Sequence, residues 1–199
     1  MINYAYKRKL QTCEGMVNFV VEIESLNAGY SVYCRFFLNN TLAGEFDGIF
    51  INSLFIHDWK QAFQGRLQRE AFMNFLNRQP EKVLRILTQL KVLVLYDMKL
   101  KPEFRGKGLG VQILKELIVT PSSRYTWDVA FGWARPCDGK CEKKQLNQVA
   151  AKMLGHYLQH LPNCVAWTKR STFFLCAPGQ FQAANAAELL HAVGKAEFH

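Results

Sequence analysis

The 199-residue chain has no apolar run long enough to cross a bilayer, since its longest nearly unbroken apolar stretch is Val92 to Tyr96. The opening Met1-Ile2-Asn3-Tyr4-Ala5-Tyr6-Lys7-Arg8 has no apolar signal core. A secreted or membrane-spanning protein is therefore not expected, and a cytoplasmic one is. Charge is also sparse, at 21% of residues against 49% apolar, which disfavours intrinsic disorder and leaves ample material for a core. No internal repeat, low-complexity tract or linker breaks the chain, so one domain over residues 1–199 is expected. The six cysteines (Cys13, Cys34, Cys137, Cys141, Cys164, Cys176) are scattered, and Cys34, Cys164 and Cys176 sit in or beside apolar segments. Reduced thiols fit that pattern better than a disulfide framework. The scarcest sign of charge is negative: 16 Asp+Glu face 25 Lys+Arg, a net +9. Such a surplus attracts something anionic, whether nucleic acid, a phosphorylated cofactor or an acidic partner.

Residues 16–24 and 30–38, rich in β-branched and aromatic side chains, read as two strands, with a third over 42–52 weakened by Gly44 and Gly48. Helical spacing of Trp59, Phe63, Leu67, Phe72, Phe75 and Leu76 predicts a helix over about 58–77. Pro80-Glu81 opens a second, with Val83, Leu84, Ile86, Leu87 and Leu90 as its buried stripe. Val92 to Leu100 begins as the continuous apolar run of a central strand. Beyond it come a glycine-rich turn, a helix through Ile118, a strand over 127–134, and a helix over 142–161 with Leu146, Val149, Ala150, Met153, Leu154, Tyr157 and Leu158 on its buried side. One or two strands over 164–176 and a short helix over 182–193 close the chain. The expected class is α/β, or α+β with a mixed sheet, flanked by helices.

The segment Leu100 to Gly110 (LKPEFRGKGLG) carries the chemistry. Glycines at 106, 108 and 110 remove side chains where the backbone turns from strand to helix. Successive N–H groups can then face one concavity at a helix N-terminus, an anion site, with Arg105 and Lys107 adding charge. The pattern is neither GxxxxGK[ST] nor GxGxxG.

It resembles the GNAT N-acetyltransferase superfamily, whose pyrophosphate signature [RQ]-x-x-G-x-[GA] is met by Arg105, Gly108 and Gly110. The likeness runs for about twenty-five residues, from the preceding strand into Leu114 and Leu117. It implies a GNAT-like central mixed sheet whose N-terminal half is atypical, because three strands precede the two helices. It also implies acetyl-CoA as cosubstrate. Backbone amides of Arg105, Gly106, Lys107, Gly108, Leu109 and Gly110 would hold the pyrophosphate, and Met98, Lys99 and Leu100 would pair with the pantetheine arm. The next strand would splay away to admit the acyl group. Asn147-x-x-Ala150 matches the family's later helix and adds Asn147 to the coenzyme site; where the family has a tyrosine this chain has Leu154, so Tyr157, one turn on, is the candidate acid.

Acyl transfer needs a deprotonated amine, a polarised carbonyl and a protonated leaving thiolate. Asp97, late in the central strand, is the candidate base, with Glu45 and Asp47 as competitors. No metal is expected: Cys137-x-x-x-Cys141 and His156-x-x-x-His160 have loosely zinc-like spacing, but the intervening helix would put His156 some 22 Å along its axis from Cys141. The expected function is acetyl transfer to a primary amine of an acceptor, which the positive charge allows to be acidic or RNA-linked. The alternative is a non-catalytic basic module binding coenzyme A or nucleic acid. The strands around Trp167 to Cys176 are candidates for pairing in a homodimer.

Overall fold

The computed structural model describes residues 2–26, 29–52, 73–74, 76–119, 126–134, 143–166 and 172–177. Strands β1 (Ile2–Thr12), β2 (Gly15–Leu26), β3 (Gly29–Leu38) and β4 (Thr41–Ile51) form an antiparallel meander. Helix α1 (Glu81–Thr88) precedes β5 (Val92–Leu100), and α2 (Leu109–Val119) connects it to β6 (Val129–Trp133). Helix α3 (Lys143–His160) leads to β7 (Val165–Ala166) and β8 (Phe173–Cys176). The eight strands lie in one sheet in the order β1-β2-β3-β4-β5-β6-β8-β7. Among the described strands only β5 and β6 pair in parallel, with α2 as the crossover that parallel neighbours require.

The expected mixed sheet with flanking helices is observed, and the meander has one strand more than the three expected. Strand β1 is obscured in sequence by Lys7-Arg8-Lys9, which interrupt its apolar alternation. Its Tyr4, Tyr6 and Leu10 pack on the core, while Arg8 sits 3.6 Å from Glu116 of α2. Cations on an exposed edge strand also discourage further strand pairing. The β3–β4 hairpin turns through Asn39 and Asn40, both left-handed (φ 49° and 68°), as a two-residue turn that matches strand twist requires.

One face of the sheet carries alternate residues of the meander, Val17, Phe19, Val21 and Ile23 from β2 and Val32, Cys34 and Phe36 from β3, under α2 and α3. The other face is covered near the start of β5 by α1, through Val83, Ile86, Leu87 and Leu90 against Ile49, Ile51, Val92 and Val94. Of the two helices expected before β5, the second is α1; the first lies almost wholly outside the described residues, as does the final helix over 182–193.

The stripe expected on α3 is too broad. Ala150 is buried and Leu154 and Tyr157 pack on the core, but Val149 and Leu158 are exposed. The helix meets the sheet along one narrow line, continued by Leu161, so residues 100° to either side reach solvent. Trp127, buried, donates its indole N–H to the Ile118 carbonyl at 2.9 Å and so caps the end of α2.

Candidate active site

The junction of β5 and α2 is built by short local contacts. Lys101 N–H donates to the Ala43 carbonyl at 2.9 Å, keeping the end of β5 on β4. A single 3₁₀ turn, Pro102–Phe104, follows, closed by Phe104 N–H on the Lys101 carbonyl and Arg105 N–H on the Pro102 carbonyl. Arg105 Nε then reaches back to the Leu100 carbonyl at 2.8 Å. Gly106 (φ 79°) and Gly108 (φ 72°) are left-handed, a conformation that L side chains rarely adopt. A β-carbon at either would meet nothing within 4 Å, so both face open space.

Helix α2 starts at Leu109, and its first recorded tie to the turn is Gln112 N–H to the Gly108 carbonyl. The N–H groups of Gly106, Lys107, Gly108, Leu109 and Gly110 have no backbone acceptor among the described residues. They stand in succession at the positive end of a helix, a place that favours an anion. The cradle is one amide shorter than expected, because the Arg105 N–H is spent on the 3₁₀ turn. Lys107, half-exposed, is ion-paired to Glu14 of the β1–β2 turn at 3.0 Å. Gly110 has a packing role, since a β-carbon there would sit 3.2 Å from Leu100 Cδ1.

Strand β5 is paired on both sides only at its start. Parallel pairing with β6 runs from Val92↔Val129 to Leu95↔Gly132, whereas antiparallel pairing with β4 continues to Gly44↔Leu100. The outer part of β5, Asp97 to Leu100, thus has β4 on one side and, among the described residues, no paired strand on the other. Since the Lys101 N–H points at β4, strand alternation turns those of Leu100 and Met98 toward the side away from β4.

The pairing skips Tyr96: Asp47 faces Asp97 and Gly48 faces Leu95. This bulge shifts the parity of everything after it. Met98 and Leu100 lie on the core face under α2, and Asp97 and Lys99 emerge on the opposite face. There they meet β3 and β4. Tyr33, Glu45, Asp47, Asp97 and Lys99 line a half-open pocket of about 100 Å³. Tyr33 Oη donates to Glu45 Oε2 at 2.8 Å, and Lys99 Nζ lies 2.8 Å from Asp97 Oδ2. The half-exposed Tyr33 hydroxyl is pushed above its ordinary pKa, first by partial burial and then by its bond to Glu45. A second pair, Arg35 to Glu22 at 2.9 Å, extends the polar stripe across β2 and β3.

The residues singled out from sequence therefore separate into two groups. Asp97 and both its competitors, Glu45 and Asp47, share the pocket, and Lys99 joins them through its side chain. Tyr157 lies on the other face of the sheet, its ring 5.1 Å from that of Phe174. Asn147 is exposed on α3, and Leu154 packs on the core. Cys137 and Cys141 lie outside the described residues; His156 and His160 are exposed, with ring centroids 4.4 Å apart. No group of three metal-binding side chains occurs among the described residues. Tyr33 was not singled out by the sequence, because nothing within β3 marks it; only the register Tyr33↔Asp47 puts it in the pocket.

Three carboxylates and a phenol beside one ammonium can hold a cationic group and accept a proton from it. The glycine turn can hold an anion. The outer half of β5 lies between the two. No family model, no curated protein and no solved structure matches the chain.

Proposed function

We propose that the chain is an acyl-CoA-dependent N-acyltransferase of the GNAT kind, transferring an acyl group, with acetyl-CoA as donor, directly to a primary amine. The observation that carries this reading is the β5–α2 junction: a strand whose outer half pairs, among the described residues, with β4 alone runs into a turn with two left-handed glycines at a helix N-terminus. The sheet order supports it as well, with an antiparallel meander followed by one parallel pair.

The bound coenzyme supplies a thioester activated toward attack. Amides of Gly106 to Gly110 bind its pyrophosphate, and the Met98 and Leu100 N–H groups, on the side of β5 away from β4, align the pantetheine arm and polarise the carbonyl. The acceptor amine enters from the opposite face, where Glu45, Asp47 and Asp97 hold it as a cation. Asp97, nearest in sequence to Met98, takes its proton directly or through water. Tyr157 and the Met98 side chain lie on the same face of the sheet, so this reading puts the acid on the thiol side and the base on the amine side. Carboxylates outnumber cations in the pocket by three to one, which favours a cationic reactive end on the acceptor.

Isothermal titration with acetyl-CoA tests the proposal. Binding in the micromolar range is expected, and a folded sample that shows no heat at high micromolar ligand sinks it. The second reading, a coenzyme-binding module without chemistry, is favoured by Leu154 in place of the family tyrosine and by the packing of Tyr157 on Phe174. Turnover of acetyl-CoA with any member of an amine panel eliminates it.

A further inference from the structure

The edge of the sheet farthest from β1 holds two thiols that neither the glycine turn nor the pocket uses. Cys164 immediately precedes β7 and Cys176 ends β8. The register Val165↔Leu175 and Ala166↔Phe174 sets the two cysteines opposite each other across an antiparallel pair. Their Sγ atoms are 3.3 Å apart, and neither is in a disulfide. Both flanks are anchored. Leu161 N–H bonds the Tyr157 carbonyl at 2.9 Å, and Asn163, left-handed at φ 45°, reaches the Ala177 carbonyl at 3.5 Å. A disulfide bond needs the sulfurs at roughly 2.05 Å, an approach of about 1.2 Å that side-chain rotation supplies.

We propose that Cys164 and Cys176 are a redox-active dithiol that closes to an intramolecular disulfide, with a low-molecular-weight disulfide such as oxidised glutathione as oxidant. The two thiols differ in access. Cys164 is half-exposed, whereas Cys176 is fully buried. The Cys164 thiolate attacks one sulfur of oxidised glutathione; that S–S bond breaks and the first glutathione leaves as a thiol. Cys176 then gives up its proton and attacks Cys164 Sγ, the mixed disulfide breaks, and the second glutathione leaves as a thiol. Two cysteines lose two electrons and two protons, and one oxidised glutathione becomes two reduced ones. Burial, then the hydrogen bond to Cys164, pushes the Cys176 thiol far above its ordinary range, so it is the resolving and not the attacking sulfur. The closed bond would clamp the two-residue β7 onto β8 next to Phe174, which packs on Tyr157.

The test incubates the reduced full-length chain with oxidised glutathione, quenches by alkylation and maps peptides by mass spectrometry. A Cys164–Cys176 cross-link, reversed by dithiothreitol, is expected, together with a rise in melting temperature on the order of 5 °C. Cys176→Ala should stop at a stable Cys164–glutathione adduct, and Cys164→Ser should leave Cys176 alkylatable after denaturation. The exposed Cys13 serves as the internal control. The proposal is overturned if Cys13 becomes glutathionylated while Cys164 and Cys176 are both recovered alkylated, or if wild-type Cys164 keeps its glutathione without cross-linking. The wild-type map decides even if a variant fails to fold, and no readout depends on coenzyme binding.

Discussion

Burial contributes to the alkaline limit of the fold at several residues, among them two in the meander. Cys34, inside the meander, is pushed from its ordinary 9.0 up to about 12 by loss of solvent. Tyr6 on β1 goes from 10.0 to about 12, again chiefly through burial, with Arg8 pulling the other way. Both groups are neutral in the fold and ionise sooner when the chain unfolds. Their contribution is therefore whole below pH 9 and is lost as pH rises toward 12. The urea midpoint should hold steady to about pH 9 and then fall; Cys34→Ala and Tyr6→Phe should each flatten that decline, and an unchanged slope in both would contradict the assignment. Gly108 belongs to the same scale. Its left-handed φ and open surroundings mean that a side chain clashes with no protein atom, so a substitution acts through backbone strain and through the space kept for an anion. Gly108→Asn tolerates the left-handed region best and should leave the melting temperature nearly unchanged while weakening acetyl-CoA binding at least tenfold by titration. Gly108→Val should lose both binding and about 1–2 kcal/mol of stability.

At the scale of elements, the pocket exists because β4 lies close against β5. A β-carbon on Gly44 would strike the Lys99 carbonyl oxygen and the Phe36 ring together. Gly44→Ala must either part the two strands beside Lys99 or move a fully buried phenylalanine. A loss of roughly 1–3 kcal/mol is expected from chemical denaturation. The Lys99–Asp97 and Tyr33–Glu45 geometry should loosen with it, so amine turnover should fall further in Gly44→Ala than in a surface variant of equal stability. Gly132 has the same role on β6, where a β-carbon would come within 2.9 Å of Phe174 and 3.0 Å of Leu95. The continuous apolar start of β5 and the glycine-rich turn after it were readable from sequence as strand and turn, because each is set by neighbours along the chain. Strand β1 was not, since its place in the sheet depends on pairing with β2 rather than on its own composition.

For the whole molecule, the two candidate half-sites open on opposite faces of one sheet, and their charges differ. The turn presents amides to an anion, with Lys107 beside it held on Glu14, whereas the pocket presents three carboxylates. The surplus of +9 therefore does not describe the pocket, and an anionic part of an acceptor would have to be met elsewhere on the surface. If the coenzyme binds only the folded chain, acetyl-CoA at a hundredfold its Kd should add about 2.7 kcal/mol and raise the melting temperature by roughly 5–10 °C. A melting curve unmoved by acetyl-CoA at that excess would contradict coupling of the site to the fold.

Sequence alone determined the order of most elements, the identity of the turn and the residue types of the site, because helix and strand periods, a proline at a helix start and a glycine run are local properties of the chain. The tertiary structure decided which face each residue serves. Without the bulge at Tyr96, strand alternation would put Asp97 on the core face with Leu93 and Leu95; the skipped residue turns it outward. Register across β3, β4 and β5 then brings Tyr33, Glu45 and Asp47 to Asp97 from as far as sixty-four positions away in the chain. The physical reason is that parity is fixed along a strand, while register and bulges are fixed only between strands.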